Sequence, residues 1–159
     1  MTHVPAITDQ PRIPLRVSKK SARIAALIEA HRGLPFSPHY LGYFECFNEG
    51  LFYESHDVLE ELWLECRDQP TYGFYKALIQ FAGAFVHLQK GRLRPAAALF
   101  RLAHSYLSSY PDAYEGVRVT GLRILIDEWL ANLESAEYLK NPLTPHNAPK
   151  LPMPDPLLL

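Results

Sequence analysis

Apolar residues recur along this chain at helical spacing, in six segments separated by short breaks. The breaks contain glycine or proline, residues that end helices or open turns, as at Gly50, Pro70 and Gly91. No stretch alternates apolar and polar residues over a useful strand length. The pattern predicts helices over about residues 18–32, 39–49, 52–67, 73–90, 95–110 and 120–138. We therefore predict an all-α fold, a bundle or array of five or six helices.

The two ends of the chain differ from this helical body in composition. Residues 1–17 contain three prolines and residues 141–159 contain six. Because proline fixes φ and removes a backbone donor, both ends should be extended. We predict an N-terminal arm (1–17), a helical domain (18–140) and a Pro-rich C-terminal tail (141–159). Apolar residues in the tail would let it lie in a groove of the body or of a second copy, and a disordered end is the alternative.

The third and fourth predicted helices carry polar side chains on faces that should be buried. In the third helix, His56 and Glu60 are one turn apart, and Trp63 lies on the same stripe. In the fourth helix, Gln80 and His87 are two turns apart on one stripe, with apolar residues on nearly all other sides. A buried polar group without a partner costs about 1–3 kcal/mol, so these residues indicate either a polar network or a site.

A short link joins these two helices, so they should pack as a central antiparallel hairpin. If the chain turns near residue 70, the numbers of facing residues sum to about 140. This register places Glu60 opposite Gln80 and brings His56 within reach of His87. Four polar side chains are then predicted to converge on one apolar seam between the helices: His56, Glu60, Gln80 and His87.

This seam admits three interpretations. A small-molecule or hydrolase-like site would use His56 and Glu60 as a catalytic acid–base pair, with Trp63, Gln80 and His87 as binding groups. A purely structural network that fixes helix register would instead suit a helical protein-interaction module. Two imidazoles and a carboxylate could also bind zinc or iron, but the spacing of known zinc motifs is missing, so we assign no metal-ligating residue. The sequence leaves open whether the protein is an enzyme, and it identifies no cofactor.

Composition and charge narrow the class of protein. A net charge of -1 and a pI near 6.6 make nucleic acid an unexpected partner. The longest apolar stretch, residues 77–88, is too short to span a bilayer, and the first residues lack the apolar region of a signal peptide. Cys46 and Cys66 show no zinc-type spacing and should be reduced and buried. We predict a cytoplasmic protein whose partner is a small molecule, or a second copy or another protein reached through the tails.

Two motifs in the hairpin region resemble a known family. One is FNEGLFYESHDVLEELW, residues 47–63, and the other begins Ala-Leu-Ile-Gln and covers residues 77–91. Both are similar to the domain-of-unknown-function family 309, over about residues 44–130. That family usually has Glu where this chain has Asp57, and Gly where it has Ala77. The resemblance implies a small all-helical protein and brings no established activity. It points to the same five side chains: His56, Glu60, Trp63, Gln80 and His87.

Overall fold

The computed structural model describes residues 19–30 and 35–159, and within these ranges it has six α-helices. They are α1 (Lys19–Ala30), α2 (Pro38–Asn48), α3 (Phe52–Leu64), α4 (Thr71–Gln89), α5 (Leu93–Leu107) and α6 (Val119–Ser135). Two-residue strands β1 (Ala113–Tyr114) and β2 (Val117–Arg118) pair antiparallel before α6, and a 3-10 turn covers Pro156–Leu158. The all-α prediction is confirmed. The predicted N-terminal arm, residues 1–17, lies outside the described residues.

Local signals place the helix ends near their predicted positions. The Ser37 hydroxyl accepts a hydrogen bond from the His39 backbone N–H at 3.2 Å, and Pro38 occupies the first turn of α2. Gly50 and Gly91 follow α2 and α4 with φ of +78° and +70°. Glycine adopts this left-handed conformation at little cost, so each residue lets the chain leave its helix sharply.

Each helix packs against the next one in the chain, from α1 on α2 through to α5 on α6. Helix α4 has neighbours on both sides, because it contacts α3 in the predicted hairpin and α5 on another face. This position explains why α4 is apolar on nearly all sides. Among residues 19–30 and 35–159, no helix combines the length and apolar content needed to cross a membrane.

The core is built around the ring of Phe85, which is fully buried in α4. Five other rings lie with their centroids 5.0–5.5 Å from it. These rings come one from each of the helices α2 to α6: Phe47, Phe52, Phe81, Phe100 and Trp129. Such aromatic pairs add stability beyond the area that they bury. Five helices are therefore held together at one ring.

The C-terminal tail, residues 141–159, packs on the helical body of its own chain. The Asn48 side chain accepts from the Leu151 backbone N–H at 2.7 Å and donates to the Leu151 carbonyl at 2.8 Å. Further along, the Gly116 carbonyl accepts from the Asp155 N–H at 2.9 Å, and the Gly116 N–H donates to the Leu158 carbonyl at 3.1 Å. Side-chain and backbone hydrogen bonds thus fix a segment in which prolines prevent a helix.

Candidate functional site

A cavity of about 250 Å³ opens where α3, α4 and α5 meet. We call it the seam cavity. Gly83 lies at the contact between α4 and α5, where an added Cβ would be only 3.1 Å from Leu99 Cδ1. The missing side chain lets the two helices approach and leaves space beside them. The lining residues come from three helices: Tyr53, His56, Ile79, Gln80, Gly83, Val86, His87 and Leu99.

The structure brings three of the predicted site residues together in this cavity, namely His56, Gln80 and His87. Glu60 and Trp63 do not line it. Glu60 lies one turn further along α3, while Trp63 stacks on Tyr72 with ring centroids 5.0 Å apart. The indole Nε1 of Trp63 is shielded from solvent and has no hydrogen-bond partner in the described part of the chain.

The predicted register of the hairpin is wrong by about one helical turn, and this explains the position of Glu60. Helix α3 ends at Leu64 and α4 begins at Thr71, so facing residue numbers sum to about 135 rather than 140. His56, not Glu60, therefore lies across from Gln80.

The burial predicted for α3 also needs correction. Phe52 and Leu59 are buried as predicted, but three residues of the predicted stripe are only half-buried: His56, Glu60 and Trp63. The buried face instead includes Glu54, which is 8% exposed, and Ser55, which is fully buried. Ser55 follows Phe52 by three positions and precedes Leu59 by four, so helical spacing contained the signal that would have found it.

Each of the three cavity residues has one polar atom that is shielded from solvent and lacks a hydrogen-bond partner among the described residues. These atoms are His56 Nδ1, Gln80 Oε1 and His87 Nδ1. The Asp57 carboxylate is 4.0 Å from His56 Nδ1, beyond hydrogen-bond distance. The Nε2 atoms of the same side chains are neither shielded nor bonded within the described ranges. The hydrogen bonds of a self-satisfied network, one of the three interpretations of the seam, are therefore missing among the described residues, and the three Nε2 atoms remain open to a ligand.

His56 also lies beside two carboxylates. One potential ligating atom from each of His56, Asp57 and Glu60 lies within 4.8 Å of the others. This spacing is loose for a single zinc ion, because ligands at about 2.0–2.2 Å from the metal lie within about 4.4 Å of one another. Asp57 and Glu60 thus place two carboxylates beside His56, and we assign no metal-ligating residue.

Cys46 does not supply a reactive thiolate. Cys46 is buried, and burial, followed by the charges of Glu49 and Glu54, raises the pKa of its thiol to about 12. Cys66 is only half-buried, which differs from the prediction, and both cysteines are free of disulfides. Neither residue lines the seam cavity.

His87 should titrate below the ordinary histidine pKa of 6.5, because burial, and then the charges of Arg92 and Lys90, disfavour its protonated form. The folded state then binds fewer protons at His87 than the unfolded state. This contribution to stability is complete above pH 6.5 and is lost as the pH falls below it. An NMR titration of the His87 ring measures the pKa, and Arg92→Ala should raise it. A midpoint at or above 6.5 would contradict the prediction.

The segment of the chain that contains the seam cavity matches the model of a known family. A family model described as "Domain of unknown function (DUF309)" matches residues 40–99, which include every residue that lines the cavity. An "Uncharacterized protein" of Aquifex aeolicus (strain VF5) is 27% identical over 88 residues, 55% of this chain and 26% of that protein. The chain thus spans about a quarter of that relative's length. No solved structure matches. The resemblance predicted from the two motifs is confirmed, over residues 40–99.

Proposed function

We propose that the seam cavity binds a small polar molecule, with His56 as its acid–base group. The observation that carries the proposal is the meeting of three polar side chains from two helices, each with a shielded atom that has no partner among the described residues. Each such atom costs about 1–3 kcal/mol of stability. Polar groups left without partners in this way are typical of functional sites, and each of these three side chains also has an Nε2 atom that is open to a ligand.

The surroundings of the three side chains suggest different roles. His56 has the carboxylates of Asp57 and Glu60 beside it. His87 has a lowered pKa and stays neutral near pH 7. A hydrolase-like reaction would then use His56 for proton transfer, with Gln80 and His87 orienting the substrate. Glu60 would act through His56 as a positioning residue, and Trp63 would support the hairpin from outside the cavity.

Replacing Gln80 with leucine tests this proposal. We expect the free energy of unfolding to stay unchanged or to rise by about 1 kcal/mol, because an unpartnered polar atom is removed. The same change should abolish binding of a set of small amides, alcohols and heterocycles, measured by ligand-observed NMR. Gln89→Leu is the matched control, since Gln89 lies on the same helix outside the cavity and is exposed. It should leave fragment binding intact.

His56→Ala and Glu60→Ala complete the experiment. In a structural network, removing either member should cost several kcal/mol. If these residues instead serve a functional site, we expect the loss of stability to stay below about 1 kcal/mol in both variants. Large losses in both, together with no fragment bound at the cavity, would overturn the proposal.

A helical protein-interaction module is the second candidate, and a different surface supports it. A groove of about 510 Å³ runs between α6 and the C-terminal tail. Its lining is mostly apolar and includes Ile124 and Met153, which are 54% and 39% exposed. Exposed apolar surface of this kind is typical of interaction sites. The apolar lining alone does not identify an occupant, so this function ranks second, and self-association through the tails stays a prediction.

We infer that the protein works in a reducing compartment, as the prediction of a cytoplasmic location requires. Two free cysteines support this inference, because thiols persist where disulfides are kept reduced.

A further inference from the structure

The groove between α6 and the C-terminal tail combines an apolar lining with charges of both signs. Two cations line it, Arg118 and Lys150, and so do two anions, Glu128 and Asp155. Because these charges cancel, the groove as a whole does not favour a strongly acidic or a strongly basic partner. A partner that fits it must offer apolar surface together with charges of both signs.

The charges and apolar side chains follow one another along α6. Arg118 immediately precedes the helix, and Glu128 lies ten positions further on, about 15 Å along the helix axis. Between them, Gly121, Ile124 and Leu125 line the same groove at helical spacing. From its N-terminus, this face of α6 therefore presents a cation, an apolar stretch and then an anion.

The two charged side chains of this face are available to a partner. Glu128 makes no hydrogen bond or ion pair within the described ranges. Arg118 Nη1 lies 3.3 Å from the Asp112 carboxylate, and both side chains are more than half exposed. An exposed pair of this kind contributes about 0–1 kcal/mol, so Arg118 can change partners at little cost. A purely apolar occupant, by contrast, would bury the Glu128 charge without a partner, which is unfavourable.

Gly121 leaves open space on the same face. It is exposed in the first turn of α6, and an added Cβ would meet only Arg118 Cβ within 4 Å, at 3.8 Å, among the described residues. Packing within this chain therefore does not require a glycine here, although glycine is a poor helix former. The distance between two packed helices depends on the side chains at their contact, so a glycine allows a second helix to come close.

We propose that this groove binds α6 of a second copy of the chain, with the two helices antiparallel about a twofold axis. In the register that sets Arg118 of one copy against Glu128 of the other, Gly121 lies across from Leu125, and Ile124 lies beside the axis. Twofold symmetry forms each of these contacts twice. The inference goes beyond the small-molecule site and is independent of it, because the seam cavity is lined by α3, α4 and α5.

Sedimentation velocity of the full chain, over a series of concentrations, tests this proposal. We expect a monomer–dimer equilibrium. Arg118→Glu and Glu128→Arg each bring like charges together across the interface, and each should weaken the association at least about tenfold. The double variant, Arg118→Glu with Glu128→Arg, restores opposite charges at both contacts and should recover most of the affinity. Only residues that face each other across the interface give such a recovery.

A third variant tests the apolar centre of the interface. Ile124→Glu places a charge beside the twofold axis and should abolish the dimer. Because Ile124 is 54% exposed, the free energy of unfolding of the monomer should change little, which urea denaturation measures. Leu139→Glu is the matched control, since Leu139 is also apolar and exposed but lies outside the groove. It should leave the association unchanged.

Three outcomes would overturn the proposal. The first is a protein that stays monomeric at every concentration it reaches in solution. The second is a dimer that Ile124→Glu leaves intact, since another surface would then hold it together. The third is a double variant that associates as weakly as the single variants, because Arg118 and Glu128 would then not meet. None of these outcomes affects the small-molecule site, which fragment binding and Gln80→Leu test separately.

Discussion

Replacing Phe85 with alanine should lower the free energy of unfolding by about 3–5 kcal/mol, the cost typical of deleting a buried phenylalanine. Phe85 is fully buried, and rings from five helices lie within 5.5 Å of its centroid. Removing the ring therefore leaves a void at the point where all five helices meet. Urea denaturation followed by circular dichroism measures the loss, and the transition should remain cooperative.

Two further variants test whether the loss of stability is caused by removing the Phe85 ring. Leu139 is 84% exposed, so Leu139→Ala should change the free energy of unfolding by less than about 0.5 kcal/mol. Phe85→Leu keeps much of the volume and should lose less than Phe85→Ala. A loss below about 1.5 kcal/mol for Phe85→Ala would mean that the helices are not held together at this position.

The arrangement around Phe85 has a consequence for the seam cavity. Helix α4 carries both Phe85 and the cavity residues Gln80, Gly83 and His87. Its aromatic side is fixed by rings from every neighbouring helix, so the cavity residues stand on a rigid element. A site built on a rigid helix can hold polar atoms without partners, because the packing on its other side supplies the stability that they cost.

The helices could be predicted from the sequence because their signals are local. Helical spacing and the glycines that follow α2 and α4 depend on residues only a few positions apart. The meeting of rings at Phe85 could not be predicted, since it depends on how five helices are arranged in space. The apolar pattern of α4 indicated a central helix without indicating which of its residues would be the centre.

The candidate site could be predicted in part. The error lay in the register of the hairpin, which was wrong by about one helical turn. The spacing of Gln80 and His87 placed them on one face of α4, and the short link made His56 their neighbour. The position of Glu60 depended on where α3 ends, and no glycine or proline marks Leu64 as its last residue. Helix ends are the least certain part of such predictions, and an error of three residues moves a side chain to the next turn.

The position of the C-terminal tail is a second feature that could not be predicted from the sequence. Its prolines predict an extended segment but do not identify the surface on which it lies. That surface depends on Asn48, which is 103 positions from its partner Leu151, and on Gly116. Pairings between such distant residues leave no periodic pattern in the sequence.

Replacing Gly116 with alanine should lower the free energy of unfolding by about 3 kcal/mol, through two separate effects. Gly116 has a φ of +77°, a conformation that costs an L-residue about 1–2 kcal/mol. An added Cβ would also lie 2.7 Å from Phe36 Cζ and 2.9 Å from the Asp155 backbone nitrogen. Overpacking of this kind costs about 1–3 kcal/mol. Chemical denaturation measures the loss, and the Asp155 amide, which donates to Gly116, should exchange its hydrogen faster.

Gly50 provides a matched control, because its φ of +78° is nearly the same while nothing lies within 4 Å of an added Cβ. Gly50→Ala should therefore cost only the conformational part, about 1–2 kcal/mol, and leave exchange of the Asp155 amide unchanged. The difference between the two variants isolates the close packing of the tail against Gly116. Equal losses of stability, with equal exchange at Asp155, would mean that the tail does not hold this position in solution. The groove beside α6 would then lack its tail wall, which would remove the support for the interaction module.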